Sequence, residues 1–405
     1  MKHIIVRRRP RILNMRGNQG NTFPLLFESA QLGLADVERI GRYADVEDVI
    51  PEIPFQKPKP LSHGARALAE GDTIDGAGWG IHAIGAMSAA NGGEDVTVAV
   101  LDTGIDASHP AFAGLDLTLK DFTVSDASST NSAPDLDGHG TCVAAAIFGR
   151  NADGIRIGVA LGIGKALVGK VMSPEGANLA ALQSGLDWAI NGGADVVCLS
   201  LGIDYPGLVQ RYRDAFDIPL DIAAARIFEA YLRTMRRFDS YAAHVKTRTF
   251  DKGGAILIAA SGNESRRDEN PLYFVNASPP AAGDGFMSIG SVSRGKDGQL
   301  HLSPFSNRGC HFVAPGEAIV SAKAGGGLCT DTGDQHGCSL CCWGVRFVAE
   351  SATRQDAARE MGQRHRFYTE KQREARQWRA RGHRRGAGLC PTAFHGDSAC
   401  RRAVT

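Results

Sequence analysis

The sequence predicts an α/β fold, a mostly parallel central sheet with helices on both faces. Two observations carry this. Short apolar runs recur from Val96 onward: VTVAVL (96–101), KALVGKV (165–171), DVVCLSL (195–201), AILIAA (255–260) and FMSIGSV (286–292). Stretches of helical spacing and glycine-rich turns separate them. Apolar runs without polar alternation suit strands buried on both faces, and interleaved helices suit parallel connections.

The elements follow in order. Residues 1–60 begin with the basic MKHIIVRRRPRIL, and ADVERIGRYADVEDVIPEIPFQKPKP (35–60) predicts a short helix followed by a strand. The Pro/Lys cluster at 54–60 reads as a linker, which places a boundary near residue 70. Residues 71–333 then form the main domain. NLAALQSGLDWAI (178–190) is helical and stops at Asn-Gly-Gly. Residues 204–250 are an insertion between two strands, and its DIAAARIFEAYLRTMRRFDSYAAHV is amphipathic and helical.

Composition narrows the function classes. Hydrophobic residues make up 43% and charged residues 22% of the 405-residue chain, as in a globular protein. No run is long enough for a membrane helix, so no membrane partner is expected. The N-terminus has positive charge but no apolar core with a cleavage site, which makes the cytoplasm the default location and leaves secretion open. The net charge of +1 hides an asymmetry: residues 334–405 carry 14 Lys and Arg against 7 Asp and Glu. Five of the nine cysteines also fall after residue 333. The region 334–405 therefore reads as an irregular basic tail.

Ligands of open α/β sheets bind beyond the carboxyl ends of the strands, and three strand ends here bear suitable chemistry. Asp102 closes VTVAVL and could orient an imidazole, or simply form a turn. His139, in DLDGHGTCVAAAIFG, opens an Ala-rich helix. A helix start lowers a histidine pKa, which suits a neutral general base. Asn263, in AILIAASGNES, could donate its amide to a developing oxyanion.

Together, Asp-Thr-Gly (102–104), His-Gly-Thr (139–141), Ser-Leu-Gly (200–202) and Ala-Ala-Ser-Gly-Asn (259–263) resemble the subtilisin-like serine protease family over about residues 80–330. SPFSNRGCHFVAPGEAIVSA (303–322) also resembles the family's approach to its nucleophile. The order Asp, His, Ser is that of subtilisin. The resemblance implies Asp102 as orienting acid, His139 as general base and Asn263 as oxyanion donor. It implies Ser200, Leu201 and Gly202 as one edge of a substrate cleft and Ala260, Ser261 and Gly262 as its other wall. A peptide or protein substrate would lie between them as an added strand. Residues 28–56 loosely resemble the end of an inhibitory propeptide. A monomer without cofactor is expected; calcium is common in the family, and no site for it is assigned here.

One part is absent. The family needs Gly-Thr-Ser-Met-Ala, and after Gly333 this chain reads Asp-Gln-His-Gly, with Gln335 at the expected nucleophile position. Glutamine has no acidic proton to lose and forms no acyl-enzyme. Read one base later, the codons for Asp334 to Cys338 allow Thr-Ser-Met-Ala, those at Cys338-Ser339, Cys341-Cys342 and Cys342-Trp343 allow Ala, and Trp343-Gly344 gives Gly. A frameshift is thus preferred over an evolved pseudoenzyme. It also accounts for the Arg-, Cys- and Trp-rich RHRFYTEKQREARQWRARGHRRG. The expectation is a serine endopeptidase scaffold, inactive as written. A non-catalytic peptide-binding protein and a basic-tail nucleic-acid binder stand as alternatives. Cys338, Cys341 and Cys342 beside His336 mimic a metal site, but the spacing is poor for zinc. Residues from Asp334 onward are expected to stay out of the core, because charge and Trp343 would enter a tight space.

Overall fold

The computed structural model describes residues 2–9, 24–57, 66–88, 92–124, 131–174, 176–248 and 254–351. Along the chain, β1 (Lys2–Arg8), β2 (Leu25–Gln31), α1 (Leu34–Ile40) and β3 (Val46–Pro51) come first, then β4 (Thr73–Ile74), β5 (Ala77–Gly78) and α2 (Trp79–Ala83). The main domain continues with β6 (Thr97–Asp102), β7 (Asp116–Asp121), α3 (His139–Phe148), β8 (Lys165–Lys170), α4 (Leu179–Asn191) and β9 (Val196–Leu199). After α5 (Tyr205–Phe216) and α6 (Leu220–Arg248) come β10 (Ile256–Ala260), β11 (Phe286–Arg294), β12 (Leu300–Leu302), β13 (Phe312–Pro315), β14 (Ile319–Ala322), β15 (Leu328–Asp331) and α7 (Asp334–Ser351).

The central sheet runs β12-β11-β10-β9-β6-β8-β7, and β13 also pairs with β11. Every pairing is parallel except β11 with β12. This is the α/β architecture that the apolar runs predict. Both faces of β6 are buried: Val98 and Val100 join a cluster with α3 and α7, while Ala99 and Leu101 join another with α4 and α6. A strand so covered has no use for alternating polar residues. The parallel order places the ends of β6, β9 and β10 along one edge, where ligands bind.

The N-terminal region is more ordered than a helix and a strand. Its sheet has the order β2-β1-β3, all antiparallel. Ile4, Val6, Leu25 and Phe27 share the apolar cluster of α4 and α6. Arg237 on α6 bonds Glu47 at 2.7 Å and Asp48 at 3.0 Å, and Arg233 bonds Asp48 at 2.8 Å. The insertion is thus the support on which this small sheet rests. The stretch expected as a linker is no free linker at Phe55 and Gln56, which are hydrogen-bonded to the main domain.

The start of α7 departs from expectation. Asp334, His336, Cys338 and Ser339 are fully buried, and Leu340 and Cys342 nearly so. They form a core helix against α3, β10, β11 and β13. Residue volume explains why this succeeds. Cys, Ser and Gly are small, and a Cβ built on Gly337 would lie 2.6 Å from the Gly290 carbonyl oxygen. The helix therefore enters at a depth that glycine permits. The remaining expectations for the basic tail concern residues 352–405, outside the described residues.

Candidate active site

Asp102 is the last residue of β6 and wholly buried. Its Oδ1 accepts the Thr103 N–H at 2.7 Å and lies 2.7 Å from His139 Nδ1. His139 is the first residue of α3. A close approach brings the two elements together: a Cβ on Gly140 would collide with the Gly104 carbonyl oxygen. Only glycine lets the Asp-Thr-Gly turn and the helix start pack so tightly.

Asp135 fixes the loop before α3. Its carboxylate accepts the Thr103 hydroxyl at 2.9 Å, the Gly138 N–H at 2.9 Å, and from Thr141 both the N–H at 2.8 Å and the hydroxyl at 2.6 Å. Burial alone would raise its pKa, but these hydrogen bonds outweigh burial and hold it below the ordinary carboxylate value. Buried Lys170 donates to the Thr103 and Pro134 carbonyl oxygens at 2.7 and 3.0 Å. Asp135 and Lys170 have no signature in sequence, since their partners, backbone groups and the Thr103 and Thr141 hydroxyls, are brought close only by folding.

The pKa of His139 shifts up. Burial pulls it down, but the charge of Asp102, their hydrogen bond and the charge of Asp331 outweigh burial, with Lys57 opposing. The lowering expected from the helix start is therefore overturned: a buried carboxylate in contact exceeds a partial helix charge. His139 Nε2 has no hydrogen-bond partner among the described residues. An imidazole held by a buried carboxylate with its second nitrogen unengaged is suited to accept a proton from a nucleophile.

Asn263 stands beyond the end of β10 and is buried. Its Oδ1 accepts the Asp334 N–H at 2.9 Å, and its Nδ2 donates to Gln335 Oε1 at 3.4 Å. The structure thus brings Asn263 and Gln335 together at the start of α7. Asp334 is a misfit there. Its Oδ2 accepts the Ser261 and Ser306 hydroxyls, while Oδ1 is buried without a partner. Burial pushes its pKa to about 8, against the lowering from those hydroxyls.

The segment before residue 58 lies along the cleft edge. Gln56 and Gly202 exchange N–H···O bonds at 2.9 Å in both directions, and Phe55 and Ala177 do so at 2.8 Å. Ser200 and Leu201 are buried behind Gly202. This segment thus has Gly202 as one neighbour and Ala177 as the other. Ala260 and Ser261 are buried, and the Ser261 N–H donates to Ile289, while Gly262 accepts from the Asn307 N–H. Sequence patterns gave no sign of Ala177, Phe55 or Asp137, whose carboxylate takes the Lys57 ammonium at 2.6 Å.

The cysteines regroup. Cys338 Sγ lies 3.3 Å from Cys198 Sγ, so it faces β9 and not His336. His336 Nε2 meets Asp331 at 3.0 Å, and donor atoms of Cys142, Asp331 and His336 lie within 4.8 Å of one another. Those three are the described residues best placed to hold a metal.

A parallel sheet with a buried Asp–His pair at the end of one strand, and a buried Asn in contact with a helix start beyond the end of another, has the arrangement of a subtilisin-like protein. The profile of the Subtilase family (peptidase S8) matches residues 93–343, from the approach to β6 into α7. The chain belongs to this family, a family of serine-type endopeptidases. It is similar to the major intracellular serine protease of Bacillus subtilis (strain 168), at 30% identity over 56% of this chain and 60% of the relative. The intracellular serine protease of Paenibacillus polymyxa shares 28% identity over 60% of this chain and 62% of its own. The thermostable alkaline protease of Halalkalibacterium halodurans shares 34% over 72% and 69%. The chain spans about three fifths of the length of those two intracellular relatives. Among the described residues, no helix is long and apolar enough to cross a membrane.

Proposed function

We propose that this chain is a subtilisin-type serine endopeptidase by descent, inactive because its hydrolytic centre lacks the nucleophile. In this reading Asp102 orients His139 and stabilises its charged form, His139 Nε2 is the proton acceptor, and Asn263 Nδ2 is the oxyanion donor. Gln335 stands where the serine would, and its amide offers neither an ionisable proton nor an attacking oxygen. The observation that carries the reading is the Asn263–Gln335 contact at the start of α7, together with the positioned Asp102–His139 pair. A side chain in this place touches the oxyanion donor, so a serine there would begin the reaction. His139 would take its proton as Oγ attacks the peptide carbonyl, then pass that proton to the leaving amine.

A fluorophosphonate probe tests this. The chain as written stays unlabelled, whereas the Gln335→Ser variant is labelled at residue 335. Labelling of the unaltered chain, or a fully folded Gln335→Ser chain that never reacts, would sink the reading. We further propose that the gene carries a frameshift after codon 333, which resequencing across that codon tests directly.

Non-catalytic peptide binding is the second reading, and the cleft supports it. Residues 55–56 pair with the edge at Gly202, so the segment that follows the N-terminal sheet acts as an intramolecular occupant of the cleft. Its removal by self-cleavage needs the serine, so the intact mass persists on incubation of the chain as written. A cytoplasmic, monomeric protein with peptides or proteins as its partners completes the proposal. It is supported by the relatives named as intracellular and tested by cell fractionation.

A further inference from the structure

We infer that this cleft selects peptides with an aromatic side chain followed, two positions later, by a basic one. The aromatic pocket is walled by the insertion helix α6, and Asp137 reads the basic residue. The inference rests on the peptide-binding reading above and adds the substrate class to it.

The chain's own segment shows both contacts. Phe55 is completely buried, and its ring meets Phe238 edge-to-face at a centroid distance of 5.5 Å. Phe238 lies on α6 and is itself braced by Phe286 at 5.7 Å. One wall of this pocket therefore comes from the insertion 204–250. Aromatic pairs in this geometry favour a ring over an aliphatic side chain of similar area.

Gln56 contributes backbone only, through its two bonds to Gly202. Alternate side chains of an extended segment share a face, so one surface of the cleft meets residues 55 and 57 together. Lys57 Nζ reaches both carboxylate oxygens of Asp137, at 2.8 and 2.6 Å. The neighbouring Asp135 carboxylate, which accepts the Asp137 N–H at 3.1 Å, adds negative charge on the same side. Asp137 lies two residues before His139, so the basic side chain docks beside the reacting imidazole. The pair is about two-fifths exposed, so its absolute contribution to affinity is small. Discrimination is larger, because an acidic side chain in that place meets repulsion as well as a lost partner.

The test uses the full chain carrying Phe55→Ala and Lys57→Ala, which removes both side-chain anchors of its own segment. Dye-labelled peptides containing Phe-Gln-Lys, Phe-Gln-Glu and Ala-Gln-Lys are titrated by fluorescence polarisation. The Lys peptide is expected to bind about tenfold more tightly than the Glu peptide, and the Phe peptide about tenfold more tightly than the Ala peptide. Adding Asp137→Lys reverses the Lys-over-Glu preference, and Asp137→Asn brings it close to one. Phe238→Ala narrows the Phe-over-Ala gap, with circular dichroism confirming a folded chain. Equal binding of all three peptides overturns the selectivity while sparing the peptide-binding reading. A preference unchanged by Asp137→Lys overturns the assignment of Asp137. Absence of binding by every peptide overturns both readings.

Discussion

The end of β6 and the start of α7 are both buried, yet their polar groups fare differently. At β6, the Asp102 carboxylate holds His139, and Asp135 ties Thr103 to Thr141. At α7, Asp334 Oδ1 and His336 Nδ1 are buried without partners. Shape is kept in both regions, but the unpartnered atoms of the first, Asp102 Oδ2 and His139 Nε2, belong to a joined acid–imidazole pair, whereas Asp334 Oδ1 belongs to a carboxyl whose pKa burial raises. Backbone geometry and residue volume are enough to place a helix in a core, whereas chemistry needs the particular side chain.

The comparison can be broken at its catalytic end first. In the Gln335→Ser background, Asp102→Asn is expected to slow fluorophosphonate labelling by about 10³–10⁴-fold, the scale of a triad that loses its orienting acid. Labelling should also rise with pH through a midpoint above the ordinary histidine value of 6.5, because Asp102 raises His139, and Asp102→Asn should pull that midpoint down. A midpoint at or below 6.5 contradicts the balance of burial and charge described here.

Next comes the misfit carboxylate. The pKa of Asp334 is 3.8 in the ordinary state and about 8 when folded, so the folded state holds the proton more firmly. Stability tied to this group is fully present below pH 3.8 and lost as pH rises through about 8. Asp334→Asn is therefore expected to stabilise the chain by about 3–5 kcal/mol at pH 8 but only about 1–2 kcal/mol at pH 5. Urea unfolding at both values checks this, and a pH-independent gain would show that the carboxyl is not held neutral.

Asn263→Ala tests the meeting point of the two regions. It should cut the labelling rate of the Gln335→Ser chain by about 10²–10³-fold, the loss typical of removing one oxyanion donor, as known for subtilisin. The smallest effect expected lies at the N-terminal sheet. Arg237→Ala removes ion pairs to Glu47 and Asp48 and should loosen that sheet by about 1 kcal/mol, seen as faster amide exchange in β3 that added salt mimics.

Much of this was legible in the sequence. The runs VTVAVL, AILIAA and FMSIGSV became β6, β10 and β11, because strands buried on both faces need unbroken apolar residues. The strands β1 and β2 were missed. The first begins in a basic stretch whose arginines pair with distant acids such as Glu28 and Asp45, and charge there looks like solvated chain until the partners are in place.

The sequence by itself determined the class of fold, the family, and the absence of a serine at residue 335. These depend on local order: apolar runs, glycine turns, and motifs a few residues long. Only the tertiary structure decided that α7 enters the core, that Asp331 as well as Asp102 raises His139, and that Phe55 to Lys57 lie against Ala177, Gly202, Phe238 and Asp137. Each of these depends on contacts between residues far apart in the chain. Burial and Coulomb interactions act through space, and a one-dimensional pattern does not contain those distances.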